Sequence, residues 1–149
     1  MIPNGKKHNL FIPIEILLVE NNPGDLVLIE KNLRSGKLFN KINVVRNTIE
    51  AIKYINREVK YSTVECPDII LVNLSMPPEM EAKALKILTE TEECKEIKII
   101  VLTNNRYEED ILQKHNINYP FLRRPFEVRQ LTDIILSLNS FSVTFIKRV

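Results

Sequence analysis

Five short runs of apolar, largely β-branched residues alternate along the chain with longer stretches whose apolar positions recur at helical spacing. The apolar runs predict strands at residues 14–19, 42–45, 69–72, 97–102 and 119–122. Continuous apolar strands that alternate with amphipathic helices are typical of a parallel sheet covered by helices on both faces. The pattern therefore predicts one doubly wound α/β domain built on a five-stranded parallel sheet.

The stretches between and after these strands predict five helices, at residues 23–35, 49–59, 80–93, 107–115 and 126–138. Asn22 is the expected N-cap of the first helix, because its side chain can accept from first-turn N–H groups and Pro23 suits the first helical position. Thr48 is expected to cap the second helix in the same way. The domain is expected to span residues 13–139, with an N-terminal arm at 1–12 and a C-terminal tail at 140–149.

Composition excludes several classes of protein. The 149 residues carry a formal net charge of only +2, which argues against a strongly electrostatic nucleic-acid binder. The first residues lack an apolar signal-peptide region, and no apolar run approaches the ~20 residues of a membrane span. Cys66 and Cys94 have no metal-ligand spacing and are expected to be reduced thiols. A cytoplasmic protein without nucleic-acid or membrane partners is expected.

Polar residues stand where the predicted strands end. In an open parallel sheet, functional side chains collect beyond the carboxyl ends of the strands. Those positions hold Glu20 and Asn21 after the first strand, Asn73 after the third, Thr103 after the fourth and Arg124 after the fifth. The sequence therefore predicts one acidic, amide-rich pocket with an arginine at its rim.

Four segments at these strand ends resemble response-regulator receiver domains, and in particular the small single-domain regulators partnered with phytochromes. The four segments are Val-Glu-Asn-Asn-Pro-Gly-Asp at 19–25, the strand and Met-Pro at 69–77, Val-Leu-Thr at 101–103 and Arg-Pro-Phe at 124–126. They occur in the family's order and spacing over about residues 14–138. The resemblance implies a flavodoxin-like (βα)5 fold and a role in two-component signalling.

The family's chemistry, carried over by this resemblance, is the transfer of a phosphoryl group from a kinase histidine to an aspartate carboxylate beside Mg²⁺. The matched positions here are Glu20 and Asn21 for the acidic pair, Asn73 for the acceptor, Thr103 for the switch residue and Arg124 for the lysine. Phe121 matches the aromatic residue whose rotamer tracks activation. Three of the five chemical positions therefore depart from the family's pattern.

Each departure has a physical consequence. A carboxamide lacks an anionic oxygen, so Asn73 is not a competent nucleophile for phosphoryl transfer. Each carboxylate lost at ~4 Å from a cation forfeits about 1–4 kcal/mol per unit charge, so Mg²⁺ is expected to bind weakly or not at all, and no other cofactor is expected. Arg124 is expected to pair with Glu20 across the empty site. The combined loss at three positions favours natural divergence over an engineered acceptor mutant.

The sequence thus predicts a pseudo-receiver, a non-enzymatic module of two-component signalling that acts by protein–protein interaction without aspartate phosphorylation. Its partner is expected to be a histidine kinase, another signalling protein, or a second copy of the chain. The expected partner face is that of the fourth helix, fifth strand and fifth helix, where receivers dock. Its residues are Glu109, Lys114, Phe121 and Arg129.

Two alternatives come from other readings of the same residues. The first is a conventional single-domain phosphorelay regulator with residual or unusual chemistry, for example after deamidation of Asn73, which the bulky Leu74 should make slow. The second is a flavin- or nucleotide-binding enzyme on the same fold. Such an enzyme needs a Ser/Thr/Gly-rich loop after the first strand, whereas this chain places Glu20 there and has only three glycines.

Overall fold

The computed structural model describes residues 14–35, 40–94 and 96–137. The predicted N-terminal arm at 1–12, the tail at 140–149 and Leu138 at the end of the last predicted helix lie outside the described residues. Strands and helices alternate through the described part of the chain. They are β1 (Ile14–Val19), α1 (Pro23–Ser35), β2 (Asn40–Val45), α2 (Thr48–Ile55), β3 (Ile69–Asn73), α3 (Pro78–Glu90), β4 (Lys98–Thr103), α4 (Arg106–Lys114), β5 (Phe121–Arg123) and α5 (Val128–Ser137).

The five strands form one parallel sheet in the order β2-β1-β3-β4-β5. The first described strand, β1, thus lies in the interior of the sheet, with β2 on one side and β3, β4 and β5 on the other. This arrangement confirms the predicted doubly wound, flavodoxin-like architecture. None of the described helices is both long and apolar enough to cross a membrane.

Alternate residues of the strands feed two separate cores, one on each face of the sheet. On one face, Leu17, Ile70 and Val101 pack with buried residues of α2, α3 and α4. On the other face, Leu18 and Leu71 pack with buried residues of α1 and α5. Burial on both faces explains why the central strands read as continuous apolar runs rather than as an alternating pattern.

The start of α2 corrects one expectation from the sequence. The N-cap is Asn47, whose side chain accepts from the backbone N–H of Glu50 at 2.8 Å, and not Thr48. Thr48 is the first helical residue and is fully buried. Both residues suit an N-cap chemically, and the one with extended backbone geometry takes the role.

The same helix ends earlier than its apolar pattern predicts, at Ile55 instead of residue 59. Arg57 adopts a left-handed backbone conformation with φ of 52°. Its N–H bonds to the carbonyl of Tyr54 at 3.1 Å, and the N–H of Glu58 bonds to that of Lys53, also at 3.1 Å. This is the hydrogen-bond pattern of a Schellman motif, which closes the helix by satisfying its last carbonyls.

Replacement of the cap tests this assignment. Asn47→Ala removes the acceptor for the Glu50 N–H and is expected to lower the free energy of unfolding by about 1 kcal/mol. Asn47→Asp keeps an acceptor at the same position and serves as the control, with a near-native value expected. The measurement is equilibrium unfolding in urea, and an alanine variant as stable as wild type would show that this cap contributes nothing.

Candidate functional site

The carboxyl ends of β1, β3, β4 and β5 meet at one edge of the sheet, as the sequence predicts. Glu20 directly follows β1, Asn73 ends β3, Thr103 ends β4, and Arg124 directly follows β5. The N–H of Glu20 bonds to the carbonyl of Val45 at 2.9 Å, and the N–H of Arg124 bonds to that of Thr103 at 2.8 Å. Main-chain hydrogen bonds to neighbouring strands therefore fix the backbone positions of Glu20 and Arg124.

The centre of the site is a contact between two buried side chains. Nδ2 of Asn73 donates to Oε1 of Glu20, and only 5% of Asn73 and 3% of Glu20 are exposed. The other carboxylate oxygen of Glu20 accepts from the backbone N–H groups of Asn21 at 3.0 Å and Asn22 at 2.9 Å. Three N–H donors thus compensate one buried carboxylate, which would otherwise be costly to bury.

The donor set of this pocket differs from that of a divalent-cation site. Glu20 contributes the one anionic group, and both its oxygens already accept N–H donors. Oδ1 of Asn73 is buried without a hydrogen-bond partner among the described residues, and the side chain of Asn21 is exposed. No group of three or more His, Cys, Asp or Glu side chains within the described ranges is placed to hold a metal ion. A hard cation prefers several carboxylate and carbonyl oxygens, and at these strand ends the carboxylate of Glu20 and the amide oxygen of Asn73 are the buried oxygens of this kind.

The arginine at the rim does not pair with Glu20, and that expectation is wrong. Nη1 of Arg124 bonds to Oδ2 of Asp25 at 2.9 Å, in the first turn of α1. Nε and Nη2 of Arg124 both donate to Oδ1 of Asn104, at 3.2 and 2.8 Å. Arg124 thereby joins the loop after β5 to α1 and to the loop after β4.

The switch position is also engaged within the chain. Thr103 is fully buried, and its hydroxyl donates to Oε2 of Glu109 at 2.6 Å. Arg123 holds the same carboxylate with Nε at 3.0 Å and Nη2 at 2.7 Å. The bonds from Arg123, and more weakly the one from Thr103, hold the pKa of Glu109 below its ordinary value. Glu109, expected on the partner face, therefore bonds to β4 and β5 of its own chain.

A buried acid that the sequence did not single out lies beside the pocket. Glu81, in α3, is fully buried, and its Oε2 accepts the hydroxyl of Thr48 at 3.1 Å. Burial raises the pKa of Glu81, while bonds from Thr48 and from the backbone of Ser75 oppose that rise. Ser75 follows Asn73 by two residues, so this acid connects α2 to the loop that leaves the pocket.

The remaining predicted residues lie apart from the pocket. Phe121 is half-buried and packs against the core on the α2, α3 and α4 face. Lys114 and Arg129 are exposed on α4 and α5. Asn22 caps α1 as predicted, with its Oδ1 accepting from the N–H groups of Gly24 at 2.9 Å and Asp25 at 3.1 Å. The sequence places Asn104 and Arg123 at the strand ends without indicating their partners, and it does not indicate that Asp25 and Glu81 take part in the site. Only Asn104 and Arg123, which directly follow or end strands, carried a positional signal.

Comparison with known proteins finds relatives over most of the chain. The curated response regulator Rcp1 of Synechocystis sp. is 22% identical over 130 residues, which cover 87% of this chain and 88% of Rcp1. The solved bacteriophytochrome response regulator AtBRR is 27% identical, with a TM-score of 0.76 over 93% of this chain and 98% of AtBRR. The phosphorylated cyanobacterial phytochrome response regulator RcpA is 25% identical, with a TM-score of 0.69 over 91% of this chain and 98% of RcpA. No protein-family model matches the chain.

The fold, the order of the strand-end residues along it and these relatives support the class of response-regulator receiver domains, which are modules of two-component signalling. Within that class the chain is similar to Rcp1 and to the phytochrome response regulators AtBRR and RcpA.

One structural neighbour with the same fold binds a magnesium ion. The receiver domain of the sensor histidine kinase PA1611 from Pseudomonas aeruginosa PAO1 has a magnesium ion coordinated in its active-site cleft. It is 26% identical to this chain, with a TM-score of 0.65 over 85% of this chain and 97% of that domain. The present chain shares its fold with that domain. In the present chain, the carboxylate of Glu20 accepts hydrogen bonds from three N–H donors.

The buried acid provides a test by pH. Because the pKa of Glu81 is raised in the folded protein, its contribution to stability is present at acidic pH and is lost as the pH rises through the raised pKa. Glu81→Gln stays neutral, so we expect its stability relative to wild type to increase from pH 4 to pH 7. Glu79→Gln, on an exposed side chain of the same helix, is the control and should show no such trend. Urea unfolding across this range measures both, and parallel pH profiles for wild type and Glu81→Gln would contradict the assignment.

Proposed function

We propose that this chain is a pseudo-receiver, which signals by binding protein partners without phosphorylation of the acceptor position. The observation that carries the proposal is the bond from Asn73 Nδ2 to Glu20 Oε1. In an active receiver this position presents a carboxylate to the incoming phosphorus atom. Here it presents an amide, which is not a nucleophile for this reaction and whose Nδ2 donates to the carboxylate of Glu20.

The rest of the pocket supports the same proposal. Phosphoryl transfer relies on positive charge that neutralises the transferred group. A bound Mg²⁺ would supply that charge, yet the one carboxylate available to it is Glu20, which is already compensated. Arg124 stands at the position of the phosphate-binding lysine, and its N–H groups donate to Asp25 and Asn104. We therefore propose that the pocket holds neither a resident metal nor a phosphoryl group.

Treatment with acetyl phosphate and Mg²⁺ tests the proposal. We expect wild type to keep its mass under these conditions, because Asn73 offers no nucleophilic oxygen. Asn21→Asp/Asn73→Asp restores both anions and is expected to gain one phosphoryl group at a measurable level, which makes it the positive control. Intact-mass spectrometry gives the readout. A mass increase of one phosphoryl group in the wild-type protein would overturn the pseudo-receiver proposal.

The single variant Asn73→Asp separates the charge of the pocket from its reactivity. It places a second carboxylate against the buried one of Glu20, where two anions repel each other. We expect lower stability than wild type in the absence of Mg²⁺, and partial recovery when millimolar Mg²⁺ is added. Asn21→Asp, on an exposed side chain, is the matched control and should change stability little. The measurement is thermal unfolding with and without Mg²⁺.

A conventional phosphorelay regulator is the second candidate, since the similar RcpA has been crystallised in a phosphorylated form. That function would require an aspartate at position 73, for example through deamidation. Peptide sequencing of the protein purified from its native host distinguishes the two. Aspartate at position 73 supports the conventional regulator, and asparagine supports the pseudo-receiver.

For the partner face we propose the surface formed by α4, β5 and α5, where receiver domains of response regulators dock kinases, other signalling proteins or a second copy. Lys114 and Arg129 are exposed on α4 and α5, and Phe121 of β5 is half-buried and packs against the core. Glu109 contributes by holding α4 against β5 rather than by offering a free carboxylate. No enzymatic activity is proposed for the chain.

Affinity capture from the native host tests this face. Arg129→Ala removes an exposed cation and is expected to reduce the captured partner by about tenfold if it lies at the centre of the interface. Lys53→Ala removes an exposed cation from α2 and is the matched control. Equal amounts of partner captured by wild type and both variants would show that the partner does not bind at the proposed face.

A further inference from the structure

The hydroxyl of Thr103 has one hydrogen to donate, and the structure shows where it goes. A threonine hydroxyl donates a single hydrogen bond. Thr103 is fully buried and gives that bond to Oε2 of Glu109 at 2.6 Å. While this bond is formed, the hydroxyl has no hydrogen to offer to Asn73 or to any group held in the pocket.

Glu109 is itself fixed by the arginine that ends β5. Nε and Nη2 of Arg123 bind the two oxygens of the Glu109 carboxylate at 3.0 and 2.7 Å. A forked arginine–carboxylate pair sets both distance and orientation, and it is stronger than a contact between neutral groups. The side chain of Glu109 is 15% exposed, whereas that of Arg123 is 51% exposed. The carboxylate therefore lies on the protein side of this pair.

The three side chains connect three elements of the fold. Thr103 ends β4, Glu109 lies in the first half of α4, and Arg123 ends β5. Nearby, Asn105 caps α4 by accepting from the N–H of Glu108 at 3.0 Å. The position of α4 against the sheet thus depends on one carboxylate as well as on apolar packing.

We propose that Glu109 is an internal anion that fixes the Thr103 hydroxyl and fastens α4 to β5, so that a side chain of the protein, and not an added phosphoryl group, sets the conformation of the partner face. The proposal rests on the proposed function in taking Thr103 to be the switch position of a pocket that is not phosphorylated. Glu109 is a positioning residue in this arrangement, because it acts on the partner face through Thr103 and Arg123.

Hydrogen exchange of backbone amides tests the arrangement in the full-length protein. Glu109→Gln weakens both charge-assisted contacts, and we expect amides of residues 104–115 to exchange about tenfold faster than in wild type. Asp110→Asn is the matched control, since it breaks the exposed Arg106–Asp110 pair, 3.8 Å apart, on the same helix. Equal exchange rates for Glu109→Gln and Asp110→Asn would overturn the proposal.

A second variant shows whether Thr103 and Glu109 act together. Thr103→Val keeps the branched shape without the hydroxyl, and we expect faster exchange in the same amides. If the two residues form one unit, Glu109→Gln/Thr103→Val will exchange no faster than the more affected single variant. Effects that multiply in the double variant would contradict the proposal. If Glu109→Gln does not fold, Arg123→Lys replaces it in the test. Lysine keeps the positive charge but cannot bind both carboxylate oxygens as arginine does, so we expect amide exchange faster than in wild type but less than tenfold faster.

A pH profile separates this role from ordinary packing. The groups that act on Glu109 are Arg123 from β5, Thr103 from β4 and Arg106 from its own helix, and their effect keeps its pKa low. Protection of α4 should therefore persist at neutral pH and decline as the pH falls below the ordinary carboxyl range. Glu109→Gln should show no such decline, and a decline of equal size in both proteins would refute the assignment.

The two proposals fail independently. If wild type accepts a phosphoryl group yet exchange depends on Glu109 as described, the pseudo-receiver proposal is wrong and the role of Glu109 stands. If wild type is not phosphorylated and the exchange rates do not change in Glu109→Gln, the pseudo-receiver proposal stands and the proposed role of Glu109 is wrong.

Discussion

The buried carboxylate of Glu20 is the constraint around which the strand ends of this protein are arranged. A charge buried to this degree must be compensated, and in a working receiver a metal ion does so. In this chain the compensation comes from the protein, through the amide of Asn73 and two backbone N–H groups at the start of α1. The amide at position 73 thus supplies one of the three hydrogen bonds that make burial of the Glu20 carboxylate tolerable.

Two arginines at the end of β5 bind other groups at the rim of the site. Arg124 binds Asp25 and Asn104, and Arg123 binds Glu109. Adjacent residues at a strand end point to opposite sides, so the two guanidinium groups join different elements. Together they connect α1, the loop after β4, and α4 to the short last strand. The rim of the site is therefore held together by contacts between side chains.

Much of this architecture follows from the sequence alone. The continuous apolar runs located all five strands to within about two residues, and the strand-end rule placed Glu20, Asn73 and Thr103 at the same edge of the sheet. Other features depend on geometry that a sequence does not express. Asn47 and Thr48 are equally suited to cap a helix, and backbone conformation decides between them. Arg124 and Asp25 are 99 residues apart, so their pairing depends on distances across the rim. Glu81 stands among other glutamates, and only its packing against Thr48 distinguishes it.

The shortness of β5 has a consequence for how this molecule meets others. It is an edge strand of three residues, Phe121–Arg123, bracketed by Pro120 and Pro125. Short length, flanking prolines and a charged residue are features that keep a sheet edge from pairing with strands of another chain. A partner that docks here would therefore not extend the sheet by main-chain hydrogen bonds. Recognition on this side of the molecule would rest on side chains, which makes it dependent on sequence and resistant to indiscriminate self-association.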